Sequence, residues 1–230
     1  MSASKTQSKL KHWEPDPNIT EDALLEMRKE VHERIITARI GLLLRHPFFG
    51  NMATRLKVLA ADDWLMTAAV DGKNLYYNTQ FFNAMDNKEV EFVIAHEILH
   101  MVFNHLGRRE DRNPMLYNIA ADYIVNNLLV RDRIGAKPKV VECYQDFKYE
   151  GWSSEEVYDE LFKEAEKNGE EYLKQLGEML DEHLDMDGDD GEEGAGESKD
   201  KNGHGTSSKK PKYSKEQIDQ IKDQIKEGML

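Results

Sequence analysis

DNKEVEFVIAHEILHMVFNHL, residues 86–106, decides how this chain is read. Asp86 in the cap position and Glu89 three residues later form a capping-box pattern, which predicts a helix start. The following residues are apolar almost without interruption through Phe103, so a buried helix of roughly 30 Å at 1.5 Å per residue is expected, ending near Leu106. Inside it lies Ala95-His96-Glu97-Ile98-Leu99-His100, an H-E-x-x-H run. Residues four apart share a helix face, with Cβ atoms about 6 Å apart, which lets two imidazoles reach one Zn²⁺ at about 2.0–2.1 Å. Glu97 sits about 100° round the helix from His96, near the ligand face but displaced from it. It can therefore meet a metal-activated water as general base without taking a ligand position.

With 8 histidines in the chain the five-residue pattern alone is weak, and its setting decides. The alternative is a helix whose histidines face solvent or cap neighbours. Against it stands the apolar surround, because buried histidines and a buried glutamate need partners. A catalytic zinc site also needs a third protein ligand. His105 falls half a turn from His96 on a continuous helix, so it reads as a satisfied core or surface histidine. Asp122 is the better candidate. It lies in YNIAADYIVNNLL (117–129), a second apolar helix expected to begin after Pro114 and to run to about Val130. There Asn118, Asp122 and Asn126 make a polar stripe at i, i+4 and i+8 that must face something polar. Asn118 and Asn126 are then candidates to hold Asp122 or a histidine from behind. For the oxyanion of an acyl-transfer transition state, Tyr76, Tyr77, Tyr123, His105 and Arg109 are all available donors, and the sequence does not choose among them.

Outward from these helices, Glu21–Leu44 carries apolar residues at helical spacing, and RHPFFGN (45–51) is expected to break that helix. Leu56, Val58 and Ala60 alternate as in a strand. Residues 65–70 and 74–77 flank Asp71-Gly72, which suits a tight hairpin turn. The expected class is therefore α+β, mainly helical with a small antiparallel sheet. Residues 131–150 look irregular. Ser153 and Glu156 cap a further helix to about Lys167, which 170–180 extends.

The domain is expected over 21–180, after a loose, flexible N-terminal arm at 1–20. Residues 181–200 hold ten acids and one lysine, so they account for −9 of the formal −13 of the 230-residue chain. An acidic, Gly-rich linker, 181–212, is expected to be disordered. It does not match a calcium loop: counted from Asp185, position 6 is Asp190 rather than Gly and position 12 is Gly196 rather than Glu. Ser214 then caps a short C-terminal helix, 213–230, with Ile218, Ile221 and Ile225 on one face.

Charge and composition exclude several classes. The only basic clusters, Lys209, Lys210 and Lys212 and Arg108, Arg109 and Arg112, read as solvated faces, so no nucleic-acid partner is expected. A single cysteine, Cys143, excludes an internal disulfide. No apolar run approaches the about 18 residues of a membrane span, and no leader segment is visible. A cytoplasmic protein is expected.

PFFGNMATRL (47–56), TAAVDGKNLYYN (67–78), HEILHMVFNHLGRR (96–109), YNIAADYIVNNLL (117–129) and YEGWSSEEVYDEL (149–161) occur in that order. In these segments the chain resembles the metallopeptidase domain at the N-terminus of von Willebrand factor A-like proteins of bacteria and phages, over roughly residues 24–162. The resemblance implies a zincin-like fold, one Zn²⁺ held by His96, His100 and Asp122, Glu97 as general base, and a protein or peptide substrate. It also implies partnership with a von Willebrand A protein or an AAA-type ATPase. The DxSxS pattern of a C-terminal von Willebrand A domain does not follow in this sequence. The competing expectation is a zinc-stabilised interaction module without turnover. Retention of Glu97, which a purely structural site does not need, favours the enzyme.

Overall fold

A computed structural model describes residues 13–168. The expected helical extension at 170–180, the acidic linker and the C-terminal helix lie outside the described residues. Thr20 caps the first helix, α1 (Glu21–Arg45), its side chain accepting from the Ala23 N–H at 3.3 Å. Its inner residues Val31, Ile35, Ala38 and Leu42 are fully buried. Part of the expected loose arm is attached: Trp13 packs on Phe81 and donates its indole N–H to the Met66 carbonyl at 3.1 Å.

RHPFFGN interrupts the helix for one residue only, which corrects the expected break. His46 leaves helical geometry, Pro47 occupies the first helical turn, and α2 (Pro47–Arg55) doubles back along α1. Gly50 makes that fold-back possible. A Cβ there would lie 2.1 Å from the Leu43 Cα.

Strands β1 (Lys57–Ala60), β2 (Ala68–Val70) and β3 (Asn74–Tyr77) form a sheet of order β1-β3-β2. The hairpin at Asp71-Gly72 joins β2 and β3 antiparallel, as expected, with Gly72 at φ 89°. β1, however, pairs with β3 in parallel, Val58 opposite Leu75, so the sheet is mixed rather than antiparallel. The link between these two strands, from Ala61 to Lys73, carries the chain past the end of β3, along β2 and back through the hairpin, a return that the alternating pattern of β1 does not reveal. α3 (Thr79–Asn83), also unexpected, is capped by Asn78, whose side chain accepts from the Phe81 N–H.

The long helix expected at 86–106 is α4 (Asn87–Val102). Its capping box is complete: Asp86 accepts from the Lys88 and Glu89 N–H groups while Glu89 accepts from the Asp86 N–H. α4 stops short of Leu106 because Asn104 takes a left-handed conformation, φ 51° and ψ 44°. A short α5 (His105–Arg108) follows, then α6 (Pro114–Arg131) and α7 (Ser154–Asn168). The stretch between the last two is irregular except for one 3-10 turn at Phe147–Tyr149.

The main core joins α1, α2, α4 and one sheet face, and takes in Val125 and Leu129 of α6. A second core joins the other side of α6 (Leu116, Tyr117, Ile119, Ala120) to Tyr149 and to Val157, Tyr158 and Leu161 of α7. A third, small cluster covers the far sheet face around Tyr76. No helix among the described residues is long and apolar enough to cross a membrane.

Candidate metal centre

α4 is buried along most of its length and packs against α6, whose Ala120 and Ala121 are fully buried. His96 and His100 of α4 meet Asp122 and Asn126 of α6 at the seam, all but His100 buried. One ligand atom from each of His96, His100 and Asp122 lies within 4.8 Å of the other two. His96 Nε2 and His100 Nε2 are 3.0 Å apart. Asp122 Oδ1 is 3.2 Å from His100 Nε2 and 3.5 Å from His96 Nε2. Donors at about 2.0–2.1 Å from a tetrahedral metal lie about 3.3–3.4 Å from each other, so this triangle has the size of one face of such a site.

The surrounding hydrogen bonds assign the tautomer of His96. Asn126 donates its amide N–H to the Tyr144 carbonyl at 2.9 Å, so its Oδ1 is the atom that faces His96 Nδ1, also at 2.9 Å. Nδ1 of His96 therefore carries a proton, and in the neutral ring Nε2 is a lone pair. His100 Nδ1 lies 3.1 Å from His105 Nδ1, and His105 Nε2 lies 3.0 Å from Ser154 Oγ. That chain allows His100 the same tautomer, Nδ1–H outward and Nε2 toward Asp122. In that tautomer two imidazole lone pairs and a carboxylate oxygen converge at these distances, and they repel one another unless a cation lies among them. The donor set thus fits a metal ion.

Of the residues singled out in the sequence, His96, His100, Asp122 and Asn126 are brought together at this seam. Glu97 is buried, in the same turn as His96 and outside the three-ligand cluster. Asn118 is half-buried one turn before Asp122 and, among the described residues, makes no hydrogen bond to it or to a histidine.

The oxyanion candidates separate. His105 is corrected: it is buried, with one ring nitrogen against His100 and the other against Ser154, so it is not placed to donate to a substrate. The half-turn displacement expected for it assumed a continuous helix, and the left-handed Asn104 removes that assumption. Tyr76 lies on the far sheet face and donates to Asp71 at 2.8 Å. Tyr77 is in the main core against Phe82, and burial, then Asp62, pushes its hydroxyl up. Tyr123 is half-buried between the rings of Tyr144 and Tyr149; burial, followed by Tyr149, pushes its hydroxyl up to about 12. Arg109 is buried at the end of α5.

Ser154 and the Tyr144 carbonyl gave no signal in the sequence. Each reaches the seam from a distant segment, 49 residues from His105 and 18 from Asn126. The one available hint was Asn104 before His105, since Asn tolerates the left-handed region better than most residues.

An H-E-x-x-H helix crossed by a carboxylate helix within an α+β fold defines a candidate metal-dependent peptidase domain. The comparison with protein families agrees: the chain belongs to the family described as putative metallopeptidase domain, whose model matches residues 30–228. No curated protein and no solved structure matches the chain.

Proposed function

We propose that this protein is a zinc-dependent peptidase of zincin-like architecture, in which His96, His100 and Asp122 hold the metal and Glu97 is the general base. The observation that carries the reading is the triangle of His96 Nε2, His100 Nε2 and Asp122 Oδ1 at 3.0–3.5 Å. Two imidazoles and a carboxylate are the donors of many catalytic zinc sites, and they leave a fourth position open. Zinc, when bound, supplies a water of lowered pKa and an electrophilic partner for a carbonyl oxygen.

The chain's own residues do the rest. Asn126 keeps the proton of His96 on Nδ1, and His105 does the same for His100, so both Nε2 atoms stay available as donors. Glu97 takes the proton of the attacking water and passes it to the leaving amine. Arg109 and Tyr123 remain as candidates to stabilise the oxyanion. The Tyr123 hydroxyl, held up near 12 chiefly by burial, keeps its proton at neutral pH and can donate it in a hydrogen bond. An extended protein or peptide segment is the substrate class a sheet edge can pair with. Partnership with a von Willebrand A protein or an AAA-type ATPase belongs to the same proposal and rests on the resemblance alone.

The second reading, a zinc-stabilised interaction module, leaves Glu97 unexplained. A metal that only staples α4 to α6 needs no acid in the helical turn that carries its ligands. The zinc-loaded chain should therefore cleave unstructured peptides, with products identified by mass spectrometry. Glu97→Gln should keep one zinc per chain and lose about 10²–10⁴-fold in cleavage rate. Cleavage by that variant at the wild-type rate would show that Glu97 is not the base.

A further inference from the structure

The most developed polar construction outside the ligands themselves is a chain of two side chains behind His100. His105 Nδ1 stands 3.1 Å from His100 Nδ1, and Ser154 Oγ stands 3.0 Å from His105 Nε2. His105 and Ser154 are both buried, at 4% and 2% exposure. Three separate features of the fold converge to make this chain. Asn104 turns left-handed and ends α4, which swings His105 back under His100 instead of carrying it half a turn away from His96. Gly107 leaves room for that turn, since a Cβ there would lie 2.6 Å from the Asn104 side chain. The first turn of α7 is fixed in place beside Ser154: Glu155 accepts from Arg108 at 2.6 Å and from the Tyr117 hydroxyl at 3.0 Å.

We infer that His105 and Ser154 are positioning residues for the metal, acting through His100. The proton order decides the matter. Ser154 accepts from His105 Nε2–H, His105 Nδ1 then accepts from His100 Nδ1–H, and His100 Nε2 is left as a lone pair facing Asp122. The opposite order would put a proton on His100 Nε2 and block its use as a ligand. A neutral histidine thus takes the part usually played by a carboxylate or a carbonyl behind a metal-bound imidazole. His96 has the more ordinary arrangement, with an amide oxygen behind it. The consequence is that the first turn of α7, more than fifty residues beyond His100, helps set how tightly His100 binds.

This inference rests on the proposed metal site, and its test separates the two. Zinc affinity is measured on the full chain by competition with a chromophoric chelator, together with the visible spectrum of the cobalt-substituted protein. His105→Phe keeps the ring volume and removes the acceptor. It should weaken zinc binding about 10–100-fold and alter the cobalt spectrum. Ser154→Ala should do the same more mildly, and Ser154→Thr, which restores the hydroxyl, should recover wild-type affinity. Urea unfolding of each metal-free variant identifies any that fail to fold, and Ser154→Thr against Ser154→Ala keeps the test alive if His105→Phe does not. If folded His105→Phe and Ser154→Ala bind zinc as wild type does, with an unchanged cobalt spectrum, the positioning role is wrong while the metal site stands. If wild type itself takes up no metal, the underlying site is wrong.

Discussion

Asn126 shows how little freedom a residue at the seam has. Its amide nitrogen is committed to the Tyr144 carbonyl, and that commitment turns its oxygen toward His96. Asn127 fastens the same segment through the Asp146 carbonyl at 2.7 Å, so two adjacent residues of α6 hold one irregular stretch. Asn126→Ala removes both of its hydrogen bonds at a site 2% exposed. It should cost about 1–3 kcal/mol in the metal-free protein, read by urea unfolding, because a buried carbonyl and a buried ring nitrogen lose their partner. It should also weaken zinc binding about 10–100-fold, since the His96 ring is no longer fixed. Loss of stability with unchanged zinc affinity would mean that Asn126 holds the loop and not the histidine.

Elements whose ends are written in local chemistry are the ones the sequence discloses. α4 begins at Asp86–Glu89, α6 at Pro114 and α7 at Ser153–Glu156, where Glu156 accepts from the Ser153 N–H at 2.7 Å. Asp86→Ala should cost about 1 kcal/mol of stability at neutral pH. The Asp86 carboxyl is held below its ordinary 3.8 by the Glu89 N–H first, against partial burial, and then by Lys88 and Lys139. A carboxyl held low in the folded protein contributes fully above its unfolded pKa and loses that contribution as pH falls through the folded value. The difference between wild type and Asp86→Ala in urea unfolding should therefore be full at pH 7 and shrink below about pH 4. A constant difference across that range would remove the capping role. The elements that were not legible depend on contacts distant in sequence or on a single backbone choice. α2 needs Gly50 against the Leu43 backbone, β1 needs the return through β2 and the hairpin to pair in parallel, and the end of α4 needs one left-handed asparagine. For the site, spacing revealed the two histidines, and the polar stripe on α6 singled out Asp122 and Asn126. Nothing local pointed to Ser154.

Across the molecule, α6 is the wall shared by two cores, with Val125 and Leu129 in the core of α4 and Leu116, Tyr117, Ile119 and Ala120 in the core of α7. The seam it makes with α4 is where the three donor atoms meet. A metal there ties the histidines of one helix to the carboxylate of another, so binding and folding are coupled. Zinc at about 1,000 times its dissociation constant should add about 4 kcal/mol to the unfolding free energy. The most direct test is a zinc titration of the metal-free full chain, wild type beside Asp122→Ala, following bound metal and the unfolding transition together. Wild type should take up one zinc and unfold at a higher temperature as zinc is added, while Asp122→Ala should lose the tight site and the shift with it. Equal uptake and an equal shift in Asp122→Ala, or no uptake by wild type, would contradict a metal centre built from His96, His100 and Asp122.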